Sequence, residues 1–266
     1  MIKEYKNGVS FIEDNNGILK QNPYLAAFFY LDAKEITSID QNNYAFKVID
    51  NKKTLLAMKL NPYGLLLFGH LECLEELLTY LHYYHYNVNE IMCETFIGDY
   101  LVKEYNYSQE IGMDFMEAKT KSHQSNKEIS IPTIDDVTEL ASLMHEFHIE
   151  AGVTGNIDKD KIIMALPKTR VIKKDGRIAS FARYTYNTET SDRISYVYTR
   201  PEYRGIGYAR MIVGAIQNEI IDSGKIATLN VDQKNPISNH LYASLGFKKV
   251  YSQGVYLLNN RKDNQD

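Results

Sequence analysis

The sequence contains no tryptophan and only two cysteines among its 266 residues. Cys73 and Cys93 form neither a CxxC pair nor part of a Cys/His array, which excludes a disulfide scaffold and gives no sign of a zinc site. No apolar run approaches the roughly 18 residues that a membrane span needs, and residues 1–17 lack the apolar core of a signal peptide. We therefore expect a cytoplasmic protein with no metal and no membrane partner.

Arginine is absent from the first part of the chain and appears only from Arg170 onward. Residues 1–126 carry 11 Lys and 17 acidic residues, a net charge of −6, whereas residues 127–266 carry 19 basic and 17 acidic residues, a net charge of +2. The overall charge of −4 gives no indication of a nucleic-acid partner. The asymmetry favours two units with different roles, with compositional drift along a lysine-rich chain as the alternative.

The second half of the chain alternates between helix and strand signals. A polar, aperiodic segment at 119–127 predicts a linker, so we expect domains at 1–120 and 127–266. Asp175-Gly176 between two alternating runs predicts a hairpin. The predicted elements are a strand at 128–131, helices from 133 and over 157–166, strands at 169–173, 177–186 and 193–198, a helix at 208–222, a strand at 226–231, a helix at 235–245 and a strand pair at 248–258.

The first half repeats part of this order in a blurred form. The predicted elements are a strand at 64–68, a helix at 70–84, a strand at 88–93, a helix at 97–105 and a strand at 111–118. Its strand-to-helix junction has one glycine, Gly69, and no arginine. We interpret this half as a smaller, degenerate repeat of the second domain, with an unrelated α+β module as the alternative. The fold class is α/β (α+β).

The turn at 204–209, Arg-Gly-Ile-Gly-Tyr-Ala, lies between a predicted strand and a predicted helix. A helix N-terminus offers unpaired backbone N–H groups and the positive end of the macrodipole. Glycines let that backbone approach a pyrophosphate closely, and Arg200, Arg204 and Arg210 add positive charge. The segment is not a dinucleotide fingerprint, because position 210 is Arg, and it lacks the Gly-Lys-Ser/Thr of a P-loop.

The turn is followed by a strand and then by the segment 235–247, Asn-Pro-Ile-Ser-Asn-His-Leu-Tyr-Ala-Ser-Leu-Gly-Phe. Together these motifs resemble the signature of the GNAT superfamily of N-acetyltransferases, with the strongest likeness over 193–250. The first half resembles the non-catalytic copy found in two-domain members. The resemblance implies a mixed, mostly antiparallel sheet with splayed central strands flanked by helices, and acetyl-CoA as cosubstrate.

The resemblance also implies a role for individual residues. Val197 and Thr199 would offer backbone groups to the pantetheine arm, the turn would hold the pyrophosphate, and Asn235 and Ser238 would border the pantetheine. The expected cofactor-binding residues are Val197, Tyr198, Thr199, Arg204, Gly205, Ile206, Gly207, Tyr208, Ala209, Asn235 and Ser238.

Two further residues are candidates for proton transfer. Tyr242 would be the general acid, since a phenol can hydrogen-bond or protonate the departing sulfur; the alternative is a buried tyrosine of the helix's core face. Glu150 is the candidate general base, because its region lines the acceptor cleft in the family. The rivals are His145, Glu146, His148, Glu189 and a chain of water molecules.

The expected function is transfer of an acetyl group from acetyl-CoA to a primary amine by direct attack. The acceptor is a small molecule or a peptide and stays unidentified, as does the oligomeric state. The alternative function is an acyl-CoA-binding sensor or scaffold without turnover. The spacing of His145 and His148 predicts a helix surface and not a metal site, because no third ligand follows.

Overall fold

The computed structural model of the protein describes residues 1–123, 128–152 and 156–259, with Pro23 described by its backbone alone. The chain forms two compact units. Unit 1 comprises Met1–Asp114 and the chain from Tyr251 onward, and unit 2 comprises Phe115–Val250. This division differs from the expected 1–120 and 127–266, since the last strand belongs to unit 1. The expected linker lies partly outside the described residues, at 124–127.

Unit 1 contains a helix-flanked sheet that begins well before the first element expected from the sequence. Its strands run antiparallel in the order β1-β2-β3-β4, and β4 and β5 pair in parallel. Its elements are β1 Ile2–Glu4, α1 Gly8–Leu19, α2 Pro23–Glu35, β2 Tyr44–Asp50, β3 Lys53–Lys59, β4 Leu65–Gly69, α3 Leu74–Tyr83, β5 Glu90–Glu94, α4 Thr95–Glu104 and β6 Tyr107–Ala118.

Both faces of the unit 1 sheet are covered. Along β3, Leu55 and Ala57 belong to the core cluster that contains residues of α3 and α4, whereas Leu56 and Met58 belong to the cluster that contains residues of α1 and α2. Successive side chains of a strand point to opposite faces, so each layer of helices buries every second residue. The strand consequently reads as an unbroken apolar run without alternation.

Unit 2 follows with the same types of element. Its strand order is β7-β8-β9-β10-β11, antiparallel except for the parallel pair β10 and β11. Thr133 forms a capping box with Asp136 before the first helix. The elements are β7 Ile129–Ser130, α5 Val137–Ala151, α6 Lys159–Ala165, β8 Thr169–Lys174, β9 Arg177–Thr188, β10 Ser191–Thr199, α7 Tyr208–Asp222, β11 Ile226–Asp232 and α8 Pro236–Ser244. The last strand of this second repeat, β12 Lys248–Leu258, lies mostly in unit 1.

The two repeats along the sequence, from β1 to β6 and from β7 to β12, share one order of elements, β-α-α-β-β-β-α-β-α-β. The sequence predicted this order for the second half and only its last five elements for the first. The strand pair expected at 248–258 is a single strand, β12. The prediction of an α/β (α+β) class with a mixed, mostly antiparallel sheet flanked by helices is confirmed.

The final strand of each repeat completes the sheet of the other unit. β12 pairs antiparallel with β5 of unit 1, from Gln253 opposite Glu94 to Leu257 opposite Glu90. The last residues of β6, at 115–118, belong to unit 2, where β6 is the neighbour of β11.

Candidate active site

The parallel strands β10 and β11 are joined over a short distance and then separate. Their ladder comprises three pairs, from Ser191 opposite Ile226 to Arg193 opposite Thr228. β10 then continues to Thr199 and β11 to Asp232. The register between β10 and β9 shifts between Ser195 and Tyr198, and Tyr196 has a φ of 54°. This bulge bends β10 at the point where it leaves β11, so the splayed central strands expected from the sequence are present.

The glycine turn at the N-terminus of α7 is open. Gly205 and Gly207 have φ values of 80° and 98°, a conformation that other residues rarely adopt. A Cβ built on either glycine would meet no atom of the described residues within 4 Å. Gly207 is the N-cap of α7 and makes no side-chain capping bond. The first amide groups of α7 have no partner within the helix, so the turn presents backbone donors beside open space.

Two predicted site residues from distant parts of the chain contact each other beside this turn. Arg204 Nη2 donates to both carboxylate oxygens of Glu150, at 2.7 and 2.9 Å. Arg204 Nε donates to the carbonyl oxygen of Thr199 at 2.9 Å. Both charged side chains are about half exposed, so solvent or an anionic ligand can reach the ion pair.

The remaining residues of the turn divide into exposed and buried ones. Ile206 is exposed, whereas Tyr208 is buried in the core of unit 2 with the ammonium group of Lys174 5.5 Å from its ring centre. Ala209 is partly buried. The backbone of the turn is therefore accessible while Tyr208 anchors the start of α7.

Tyr198 is held by its side chain against α5. Its hydroxyl donates to Glu146 Oε2 at 2.8 Å, and burial together with this hydrogen bond raises the pKa of Tyr198 to about 12. Arg200 Nη2 donates to Glu139 on the same helix at 2.8 Å. These contacts fix the end of β10, where the carbonyl oxygen of Thr199 already accepts a hydrogen bond from Arg204.

A cluster of aromatic and basic side chains lies at the bulge of β10. His148 Nε2 is 3.4 Å from the Tyr196 hydroxyl, and the ring centre of Phe147 is 5.3 Å from that of Tyr196. The Arg183 guanidinium carbon lies 4.1 Å from the centre of the Tyr196 ring. Sequence reasoning missed Tyr196 and Arg183, because a bulge interrupts the period-two pattern and leaves no signal of its own.

Tyr242 lies on α8, whose start is capped by a side chain. The Asn235 side chain accepts a hydrogen bond from the Ser238 amide at 3.0 Å. Tyr242 is 7% exposed and packs edge-on against Phe247, with the ring centres 6.1 Å apart. Burial raises its pKa to about 12. Tyr242 is thus a core residue whose phenol keeps its proton at neutral pH.

The part of the chain that the structure describes shows neither a metal-binding cluster nor a membrane-spanning helix. These residues include no group of three or more His, Cys, Asp or Glu side chains placed to hold a metal ion. None of the helices over the same ranges combines the length and apolarity needed to cross a membrane.

Comparison with known proteins connects this geometry to a class. An acetyltransferase of the GNAT family from Colwellia psychrerythraea aligns over 97% of this chain and 98% of its own, with a TM-score of 0.62 and 12% identity. A GCN5-related N-acetyltransferase from Sphaerobacter thermophilus aligns over 86% and 84%, with a TM-score of 0.58 and 13% identity. A tandem GNAT protein from the clavulanic acid biosynthesis pathway aligns over 96% and 97%, with a TM-score of 0.50 and 10% identity.

These similarities concern the fold, and they confirm the resemblance to two-domain GNAT proteins that the motifs predict. The protein has the GNAT fold in a two-domain form. More narrowly, residues 182–256, which contain the glycine turn and Tyr242, match the model of the family described as FR47-like protein. No curated protein matches the sequence.

Proposed function

We propose that unit 2 transfers an acetyl group from acetyl-CoA to a primary amine. The observation that carries this proposal is the open glycine turn, with Gly205 and Gly207 at positive φ and no atom of the residues that the structure describes within 4 Å of either added Cβ. The turn lies directly after a strand that separates from its parallel neighbour beyond Arg193. A turn of outward amides and a gap between strands match the two parts of the cofactor, its pyrophosphate and its pantetheine arm.

The cofactor would take up positions already prepared by this geometry. The amides of 205–209 would receive the pyrophosphate, and the backbone of Val197 to Thr199 would pair with the pantetheine. Arg204 would exchange Glu150 for a phosphate, because both oxyanions compete for one guanidinium. Asn235 and Ser238 would border the arm at the start of α8, where the Asn235 side chain is engaged in capping.

The transfer itself is a direct displacement. The lone pair of a neutral amine attacks the thioester carbonyl carbon, the C–S bond breaks, and coenzyme A leaves as a thiolate. The ammonium-like nitrogen gives its extra proton to a base, and an amide forms. No covalent enzyme intermediate is needed, so the protein must position both substrates, accept a proton and stabilise the sulfur anion.

Tyr242 would stabilise the sulfur by hydrogen bonding. With a phenol pKa of about 12 and an ordinary thiol pKa near 8.5, complete proton transfer to the thiolate would be uphill by roughly 5 kcal/mol. A hydrogen bond to a charged acceptor contributes about 1.5–3 kcal/mol instead. We therefore propose Tyr242 as a donor to the developing thiolate, with the proton of the amine leaving by another route.

The base is proposed from the arrangement at the bulge. Glu150, the candidate from the sequence, is paired with Arg204 next to the proposed phosphate site. His148 is buried and lies 3.4 Å from Tyr196 at the bend of β10, where the thioester end of the arm would lie. Histidine is the most frequent general base in enzymes, and Glu150 is engaged by Arg204 and Glu146 by Tyr198, so we favour His148 over Glu150.

The test compares two buried phenols with the same raised pKa. Tyr242→Phe is expected to lower kcat for coenzyme A release about 30-fold, the equivalent of one hydrogen bond to a charged group, with little change in acetyl-CoA affinity. Tyr107→Phe in unit 1 is the matched control, because burial also raises the pKa of Tyr107 to about 12. Equal activity of wild type and Tyr242→Phe would remove the proposed role.

The ion pair of Glu150 with Arg204 favours a second candidate function, an acyl-CoA-binding protein without turnover. In that case the carboxylate would regulate access to Arg204 and would not serve catalysis. Binding of acetyl-CoA by calorimetry, together with no thiol release from a broad panel of amines, would support the binding role. Absence of both binding and release would remove both candidates.

A further inference from the structure

A cleft of about 350 Å³ lies in unit 2 beside the projecting end of β9. β8 pairs with β9 only as far as Thr169 opposite Arg183, so the following residues of β9 extend past β8. α6 and the turn after it supply the facing wall. The residues that line the cleft include Lys161, Met164, Lys168, Arg183, Tyr184 and Tyr186.

The lining of this cleft is cationic and aromatic. Lys161, Lys168 and Arg183 are its charged residues, and of the residues that the structure describes no Asp or Glu lines its wall. The ammonium group of Lys168 lies 5.8 Å from the centre of the Tyr184 ring. Lys161 approaches the carboxylate of Asp158 at 3.9 Å, with its side chain largely exposed. Among the described residues, Lys168 and Arg183 have no acidic partner within ion-pair distance.

Arg183 is the least compensated of these cations. Its Nε is buried and has no hydrogen-bond partner among the described residues. Burial lowers the pKa of Arg183, and the positive charge of Arg193 lowers it further. A buried donor without an acceptor and a cation beside another cation both cost free energy, and a bound anion would remove both costs.

The cleft lies at the opposite end of β10 from the glycine turn. Arg183 pairs with Ser195, immediately before the bulge, and its guanidinium stacks on Tyr196. The glycine turn follows the other end of the strand, after Thr199. The cleft is therefore separated from the turn that would take the pyrophosphate, and it adjoins the bend where the proposed transfer takes place.

We propose that this cleft binds a carboxylate of the acceptor, so that the substrates are amines that also carry a carboxylate group. The inference rests on the proposed acetyl transfer. A guanidinium and a carboxylate match in geometry and charge, while Tyr184, Tyr186 and the exposed Met164 offer surface to an apolar body. Polyamines and other polycations are disfavoured by repulsion from the three cations.

The first experiment uses two amines that differ in one charge, para-(aminomethyl)benzoate and para-methylbenzylamine. The acid is expected to have a kcat/KM at least tenfold higher, the usual effect of one charge-assisted hydrogen bond. Arg183→Gln should abolish this preference mainly through KM. Arg177→Gln is the control, because Arg177 is an exposed residue at the hairpin outside the cleft.

The second experiment measures binding without turnover and separates this inference from the acetyltransferase proposal. Para-toluate is titrated into the full-length protein and followed by NMR. Binding that weakens about tenfold in Lys168→Gln, an exposed position whose change leaves the core intact, supports the cleft even if no amine is acetylated. Equal kcat/KM for the two amines, or para-toluate binding unchanged in both Lys168→Gln and Arg183→Gln, would overturn it.

Discussion

The two units differ most at the junction where the parallel strand meets the next helix. In unit 1 this junction is Gly69, with a φ of 131°, and a Cβ there would stand 2.2 Å from the carbonyl oxygen of Thr54. The His70 amide also donates to that oxygen at 2.8 Å. In unit 2, Gly205 and Gly207 face open space. One glycine allows the chain to pack closely, and the other two leave room for a ligand.

Charge reinforces the difference between the two junctions. Glu72, Glu75 and Glu76 lie at the start of α3 in unit 1. The first turn of α7 has no acidic residue, and Arg204 and Arg210 lie beside it. Carboxylates at a helix N-terminus already use the positive end of the dipole, and they repel a phosphate. In unit 1 the positive end of the helix dipole is therefore already compensated by carboxylates of the protein.

The helix that follows the next strand shows the same contrast. Tyr242 and Leu101 are each the seventh residue of their helix, α8 and α4. Both are buried, but only Tyr242 carries a hydroxyl. The fold requires a buried side chain at this position of the helix, whereas the proposed reaction also requires the hydroxyl group as a hydrogen-bond donor. Unit 1 keeps the buried positions of the repeat and lacks both the open glycine turn and the hydroxyl on which the proposed function of unit 2 depends.

The largest expected effect is on the stability of unit 1. Gly69→Ala forces a Cβ onto the Thr54 carbonyl in a strained backbone conformation, at a cost of about 3 kcal/mol. We expect unit 1 to unfold at a clearly lower urea concentration than in the wild type. The affinity of the folded variant for acetyl-CoA should stay unchanged. Unchanged stability would mean that the junction in unit 1 is as open as that in unit 2.

A smaller effect is expected for the corresponding change in unit 2. Gly207→Ala costs about 1 kcal/mol through its positive φ and places a methyl group where the pyrophosphate would lie, so that acetyl-CoA affinity should fall at least tenfold. Gly176→Ala is the matched control, because Gly176 has a φ of 76° and also faces open space, at a hairpin. Equal affinity of the two variants would contradict a phosphate site at this turn.

Sequence reasoning recovered the elements of unit 2 because their signals are local. The Asp175-Gly176 hairpin, the helix predicted at 235–245 and the glycine turn each depend on neighbouring residues. In the first 63 residues the strands β2 and β3 are buried on both faces and lack alternation, and the local signal of Asn22-Pro23 at the start of α2 was overlooked. The prediction therefore began at β4 and missed half of the repeat.

Contacts between distant segments were also beyond the sequence. The ion pair of Glu150 with Arg204 joins α5 to the glycine turn, and its two residues are 54 positions apart in the sequence. The sequence predicted both as site residues but did not predict that they contact each other. The stacking of Arg183 on Tyr196 depends on a bulge that shifts one strand against another. The position of β12 beside β5 and of β6 beside β11 depends on which sheet edge each strand reaches in three dimensions. These features follow from three-dimensional packing and leave no periodic pattern.

The smallest expected effect concerns the hydroxyl group that distinguishes Tyr242 from Leu101. The pH dependence of kcat tests whether this phenol keeps its proton. Burial raises the pKa of Tyr242 to about 12, so the donor is present below that pH and is lost as the pH rises through it. The ratio of kcat between wild type and Tyr242→Phe should stay constant from about pH 8 to 10, because ionisation of the amine and base affects both proteins alike. A phenol with the ordinary pKa near 10 would be half ionised at about pH 10 and would lower the ratio about twofold. Such a decrease, measured by thiol release, would show that Tyr242 is exposed to solvent during turnover and that unit 2 opens around it.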